Sequence, residues 1–395
     1  MNQLVSWDTT HVTISVQRHS RMNRLQSNFF PFVRFFGWLG YGYSLNYGQS
    51  SFRWWLRLIL STIGLACVLN ARIPHLTNLF GPWNDFFKFF AYSLVYIVAF
   101  IESWNGSGRL QDIWDRIENI HNHMCRLTQE MLLRMIFKNF RRTYFLLMVS
   151  VVLLGIFSML VHVTVIANVI EDNYYKCKYN IELAFVKFFI EIRHFQLILY
   201  VNLQTVFLEE IGNQIDICAN ENFLGRLHRL HSVTKIYMKL SFLNDDIHLS
   251  YEMSLVMFVS VWHFEMLANS YWFVDSITLY GTAMYVSQIF ALLLNSASLI
   301  LMHIFCEELR NVYQLVRAKI NNLRLHPVVC AGYSYQLITC CTNQFMIRRI
   351  GMFAMGCFEV SYYPIVSIIV SACTYLAFFI EIESRLSKYR STSYN

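Results

Sequence analysis

At 395 residues the chain is 55% hydrophobic and 16% aromatic but only 14% charged, with a mean hydropathy of +0.37, which excludes an ordinary soluble globular protein and a disordered one. The net charge of +7 does not point to nucleic acid, because the excess Lys and Arg sit in loops between apolar runs, where they set orientation and face anionic lipid. What remains is an all-α integral membrane protein without a low-complexity linker or an internal repeat.

Met1 to Asn28 is polar and lacks the apolar core of a signal peptide, so membrane targeting is expected from an internal span. Phe29 to Tyr47 is aromatic but interrupted by Arg34 and several glycines; it reads as an interfacial or re-entrant piece, with an eighth span as the alternative. Residues 1–53 are therefore expected to form a cytoplasmic N-terminal arm, and 54–395 one membrane domain. Seven apolar runs long enough to cross follow, at Trp54 to Ala71, Phe86 to Trp104, Tyr144 to Ile170, Ala184 to Phe207, Ser254 to Phe273, Met284 to Met302 and Cys357 to Ile382. Arg57 and Lys88 stand near the starts of the first two, where long side chains snorkel.

Lys and Arg outside the spans set the orientation. One side carries five in the arm, seven in Asn105 to Thr143, four in Leu208 to Ser250 and six in His303 to Gly351, 22 in all against six on the other side. The positive-inside rule places the N-terminus in the cytoplasm and the C-terminus outside. This is the reverse of a G-protein-coupled receptor, and the Asp-Arg-Tyr and Asn-Pro-x-x-Tyr motifs of that class are absent from the sequence. The cytoplasmic loops carry helical patterns: Leu224, Leu227, Leu230, Tyr237 and Leu240 share one face, as do Leu309, Val312, Val316, Ile320 and Leu323, predicting helices that extend the fourth to sixth spans.

Signals for catalysis or a cofactor are weak. His121-x-His123-x-Cys125 and His228-x-x-His231 contain metal-ligand residue types without a complete four-ligand set, so no metal is assigned. Of His162, His194, His263 and His303 only His194 and His263 fall near one depth, short of the paired sets that hold haem. The sequence reading is of a non-enzyme without a cofactor. Nine of the ten cysteines lie in cytoplasmic loops or in and near spans, which argues against a disulfide framework.

Polar groups inside spans need partners or a purpose. Lys187, Glu191 and His194 fall at i, i+4 and i+7 of the fourth span, so that Lys187 and Glu191 can pair; Trp262, Glu265, Asn269 and Trp272 form a stripe on the fifth, and Gln288 lies on the sixth. In the predicted orientation most of these sit in the outer halves of their helices. They suit an aromatic-walled ligand pocket, or equally a polar network that only joins helices.

The last span, with a pore helix expected over about 357–382, places Ser367, Ser371, Thr374, Phe378 and Glu381 on one face over about 21 Å of rise. Such a stripe suits a water-filled path, with Phe378 or Ile382 as a hydrophobic constriction, or close helix packing through small hydroxyl residues. Its end, Thr374-Tyr375, five apolar residues and then Glu381-Ile382, resembles the insect gustatory receptor signature of Thr-Tyr, five hydrophobic residues, Gln-Phe. Glu381 and Ile382 depart from the family's Gln and Phe. Length, seven spans, inverted topology and the upstream Gly356-x-Phe358 are similar as well.

The resemblance implies a ligand-gated, non-selective cation channel in the cell membrane of sensory-neuron dendrites. It implies four subunits, identical or mixed with other gustatory receptors, whose last helices surround one pore while each subunit binds a small-molecule tastant among its second to sixth spans. A bitter or aversive tastant is the default. The alternatives from other classes are a G-protein-coupled-like receptor, a transporter and a haem redox enzyme. The expected partners are tastant and membrane lipid, without nucleic acid.

Overall fold

The computed structural model describes residues 81–105, 107–128, 140–150, 173–279, 281–325 and 333–393, with a few isolated positions between them. The N-terminal arm, the Phe29 to Tyr47 segment, the first predicted span and most of the third lie outside the described residues. Seven helices and a small hairpin are named here: α1 Gly81–Asn105, α2 Ser107–Leu127, α3 Asn173–Asn220, α4 Phe223–Leu279, α5 Gly281–Leu325, α6 Tyr333–Ile347, β1 Phe353–Ala354, β2 Phe358–Glu359 and α7 Tyr362–Ser393. Residues 140–150 are also helical.

The second, fourth, fifth and sixth predicted spans lie within α1, α3, α4 and α5. The last three helices run far beyond them, to 48, 57 and 45 residues. Leu224 to Leu243 and Leu309 to Leu323 are helical continuations of α4 and α5, as their spacing predicts.

At the α3–α4 joint, Asn222 caps α4 by accepting the Gly225 amide at 2.9 Å. Arg226 satisfies the end of α3, donating to the carbonyls of Cys218, Ala219 and Glu221.

The core centres on α3, which packs against α5, α4 and α1. Leu197, Ile198, Leu199, Tyr200, Val201, Leu203, Phe207 and Leu208 are all buried, so the middle of this helix is enclosed on every side.

Beneath it the three loops that the charge count assigned to one side form a single basal bundle. Arg116 pairs with Asp246 at 2.7 Å, Lys319 with Asp216 at 2.6 Å and Arg310 with Glu359 at 3.7 Å. Lys239 donates to Asn119, the Tyr237 ring stacks on Phe345 at 3.6 Å, and the Tyr313 hydroxyl donates to the Phe345 carbonyl at 2.6 Å. Segments far apart in sequence thus share one end of the molecule.

The hairpin enters α7. Phe353 pairs with Glu359 and Ala354 with Phe358 in antiparallel register, and the Cys357 amide donates to the Ala354 carbonyl at 2.8 Å. Met355 and Gly356 both have positive φ, 49° and 68°, the geometry of a type I′ turn, in which glycine suits the second position. The last helix therefore begins at Tyr362, five residues later than the sequence places it, and runs on to Ser393. Pro364 fits its first turn, where its missing N–H has no intrahelical role.

Candidate ligand pocket and pore face

α3 and α4 run antiparallel: Lys187 meets Glu265, and seven residues on, His194 meets Phe258 with ring centroids 3.8 Å apart. Glu265 is 2% exposed and is engaged from two other helices. Lys187 Nζ lies 2.8 Å and Lys88 Nζ 3.4 Å from its Oε1, and the Tyr92 hydroxyl donates to its Oε2. Lys187 also sits 4.3 Å from the centre of the Tyr92 ring. Lysine and carboxylate thus share a buried site in which each charge has an opposite partner.

The structure pairs Lys187 with Glu265 and places His194 two turns further along the same α3–α4 contact, with Glu191 a turn beyond Lys187 on α3 and Trp262 buried on α4 between the two levels. Two details differ from the sequence reading. Lys187 reaches across to Glu265 on α4, where the sequence offered Glu191 as its partner. Lys88 does not snorkel to an interface; its ammonium turns inward to the same carboxylate. Sequence reasoning also missed Tyr92, although Lys88 and Tyr92 stand at i and i+4, the spacing that puts both on one face of α1. Asn269 and Trp272 lie on α4 and Gln288 on α5, their side chains outside what the structure describes.

Both His194 ring nitrogens and Trp262 Nε1 are buried without a hydrogen-bond partner. Such groups carry unused bonding capacity. An indole N–H and an imidazole beside aromatic rings can hold a polar atom of a small ligand.

On α7, Ile365, Ile368 and Ala372 are buried against the chain, on a face other than the hydroxyl stripe. Ser367, Thr374, Phe378, Glu381 and Ile382 are exposed and Ser371 is half-buried. Thr374 returns its hydroxyl to the Val370 carbonyl at 2.8 Å, which satisfies it within the helix. Arg385 donates to Glu381 at 2.5 Å, one turn on, a pairing not anticipated from the sequence. Tyr362–Ile382 has a mean hydropathy of 2.2 with only 17% of it buried, and among the described residues it alone is long and apolar enough by composition to cross a membrane. Within the chain, Ala372 is buried while most of the hydroxyl stripe is exposed.

Two histidines of the first metal-type motif have close side-chain neighbours. His121 Nε2 lies 3.4 Å from Cys125 Sγ, and His123 is approached by the Lys239 ammonium at 3.1 Å. Among the described residues no cluster of three ligand-type side chains forms.

No family model matches the sequence, and no curated protein does. Comparison with solved structures finds the insect olfactory receptor OR5 from Machilis hrabei, with a TM-score of 0.70 over 91% of this chain and 99% of that one, at 11% identity. The fold is that of an insect olfactory receptor. The same receptor in complex with eugenol gives a TM-score of 0.64 at 12% identity, covering 89% of this chain and 98% of that one. At this identity the likeness shows the fold alone and says nothing of the side chains around Glu265.

Proposed function

We propose that this chain is an insect gustatory receptor acting as a ligand-gated, non-selective cation channel, assembled from four subunits and opened by a small-molecule tastant. One observation carries the reading: a last helix apolar enough to cross a bilayer, left largely uncovered by its own chain, with a hydroxyl, aromatic and acidic stripe along the uncovered side. Such a helix needs lipid on some faces and other subunits on another. The insect olfactory receptor fold and the Thr374-Tyr375 ending support the same class. The 22-to-6 charge count supports seven spans with the N-terminus cytoplasmic and the C-terminus outside.

In this reading Lys187, Glu191, His194, Trp262, Glu265, Asn269, Trp272 and Gln288 surround the tastant, with Glu265 holding the wall together and His194 and Trp262 offering free polar atoms. Ser367, Ser371, Thr374, Phe378, Glu381 and Ile382 line the pore. The channel sits in the dendritic membrane of sensory neurons, as a homotetramer or with related receptors, and an aversive tastant is the default ligand.

The test is assembly followed by conduction. Purified chains imaged as single particles are expected to show four-fold symmetry with α7 nearest the axis. In recordings under varied external calcium, Glu381→Gln is expected to weaken divalent block by a few-fold; Arg385 partly neutralises the carboxylate, so Arg385→Ala moves block the other way. Particles without four-fold symmetry, or calcium dependence unchanged in both variants, would remove α7 from the pore.

A further inference from the structure

Leu249 to Ser254 is where α4 passes from the basal bundle into the membrane half. In a regular helix the Met253 amide donates to the Leu249 carbonyl and the Ser254 amide to the Ser250 carbonyl. Here both amides donate to one oxygen of a neighbouring side chain, Oε1 of Glu102 on α1, at 2.9 and 3.1 Å. The two matching carbonyls are met by guanidinium groups. Ser250 O accepts from Arg193 Nη2 on α3 at 2.6 Å, and Leu249 O from Arg109 Nη1 on α2 at 3.4 Å. All four groups of these two rungs are thus also bonded from outside by side chains of matching charge, in a segment that stays helical.

Side-chain insertion into the ladder is a recognised cause of helix kinks, and freed amides favour anions while freed carbonyls favour cations. Arg193 is 1% exposed, donates also to Gln196 Oε1, and lies 3.8 Å from the centre of the Tyr251 ring, so its position is fixed by packing. Keeping a buried guanidinium and a half-buried carboxylate here is costly compared with closing two rungs of an unbroken helix.

Both flanks of the site are anchored. On the basal side Asp246 pairs with Arg116, and His248 lies 6.4 Å from Phe353, the first residue of the hairpin, by ring centroids. The hairpin opens α7, whose Tyr362 amide faces Glu307 on α5. On the membrane side, α4 is tied to α1 and α3 by Glu265.

We propose that Glu102 and Arg193 are positioning residues that weaken the two rungs of α4 over Leu249 to Ser254, making it a hinge through which movement of the pocket half reaches the hairpin and the last helix. The coupling rests on the channel reading; the hinge itself does not.

Proline substitution tests the weakened rung in the full-length chain. A proline at 254 lacks the amide and would clash with a carbonyl held in a closed rung, but not with one already drawn away by Arg193. Ser254→Pro is expected to keep the yield of monodisperse receptor within about twofold of the parent, while Ser260→Pro, at an exposed position further along α4, reduces it by about tenfold or more. Equal loss in both overturns the hinge.

Spontaneous thallium influx into proteoliposomes, without added tastant, tests the coupling. Glu102→Ala, which lets the rungs tighten, is expected to lower influx about threefold or more, and Glu102→Gln, which keeps an acceptor oxygen, to retain it. Combining Glu102→Ala with Ser254→Pro is expected to restore influx to within about twofold of the parent, since proline prevents tightening. Influx unchanged in Glu102→Ala, or unrestored in the double variant, overturns the coupling. A parent without cation influx defeats the channel reading, and the proline pair still decides the hinge.

Discussion

The middle of α3 and the middle of α7 are both apolar around most of the helix, yet their surroundings are opposite. Between Leu197 and Leu208, α3 is wrapped by α1, α4 and α5, whereas α7 meets the chain through Ile365, Ile368 and Ala372 and turns Val366, Ile369, Val370 and Ile380 outward. Apolar composition says that a helix avoids water; it does not say whether protein, lipid or another subunit replaces the water. The enclosed α3 is a scaffold that carries charged and polar groups inward. The uncovered α7 has most of its surface available to lipid and to other chains.

The comparison is broken most directly at Glu265. Because its carboxylate lies against both Lys187 and Lys88 in the interior, Glu265→Ala is expected to remove the nearest opposite charge from two ammonium groups and cost about 3–5 kcal/mol, seen as loss of folded receptor in fluorescence-detected gel filtration. Adding Lys187→Met and Lys88→Met to Glu265→Ala removes the stranded charges and is expected to recover part of that loss. Full folding of Glu265→Ala would mean that the carboxylate holds nothing and is free for ligand.

A second measurement contrasts the two helices themselves. Leu203→Ala in α3, fully buried, is expected to destabilise by about 2–5 kcal/mol, and Val370→Ala on the outward side of α7 by less than about 0.5 kcal/mol in detergent-solubilised single chains. Thermal unfolding reads both. Equal losses would show that α7 is packed as tightly as the core.

A smaller contrast than that between Leu203 and Val370 is expected in the basal bundle. Glu118 on α2 is nearly fully buried, with Oε2 unpartnered, and burial reinforced by Asp115 pushes its pKa up to about 7. A carboxyl whose folded pKa is raised binds its proton more tightly in the folded state, so its contribution is fully present below the usual carboxylate pKa and is lost as pH rises through about 7. Glu118→Gln is therefore expected to raise stability by about 1–2 kcal/mol at pH 8 and to change it little at pH 4. Unfolding temperatures at the two pH values check this; a variant that gains equally at both would place the effect in packing.

Much of the architecture was legible in the residues. The spacing of Leu224 to Leu240 and of Leu309 to Leu323 gave the helical extensions, because an amphipathic face needs only local order to be recognised. The three basic loops pack as one bundle, an association that follows from contacts such as Arg116 with Asp246 and Lys319 with Asp216. The start of α7 was misplaced because Cys357 and Phe358 continue an apolar run, while the turn at Met355 and Gly356 bends that run into a strand. Lys88 was misread because a lysine near a span end is ambiguous until its neighbour is known. Glu102 and Arg193 escaped notice because their partners are backbone atoms of another helix, which leave no pattern in a sequence.

Hydropathy and helical spacing, read from the sequence alone, were enough to expect a helical chain and to place candidate spans, since these follow from the transfer of each segment between water and an apolar medium. Pairing was decided by the tertiary structure. Glu265 with Lys187, Glu102 with the amides of α4, and the uncovered side of α7 depend on which helices lie side by side and how each is rotated. A buried charge is tolerated only where an opposite charge or a hydrogen-bonding group arrives from elsewhere, and that arrival is a property of packing among distant segments.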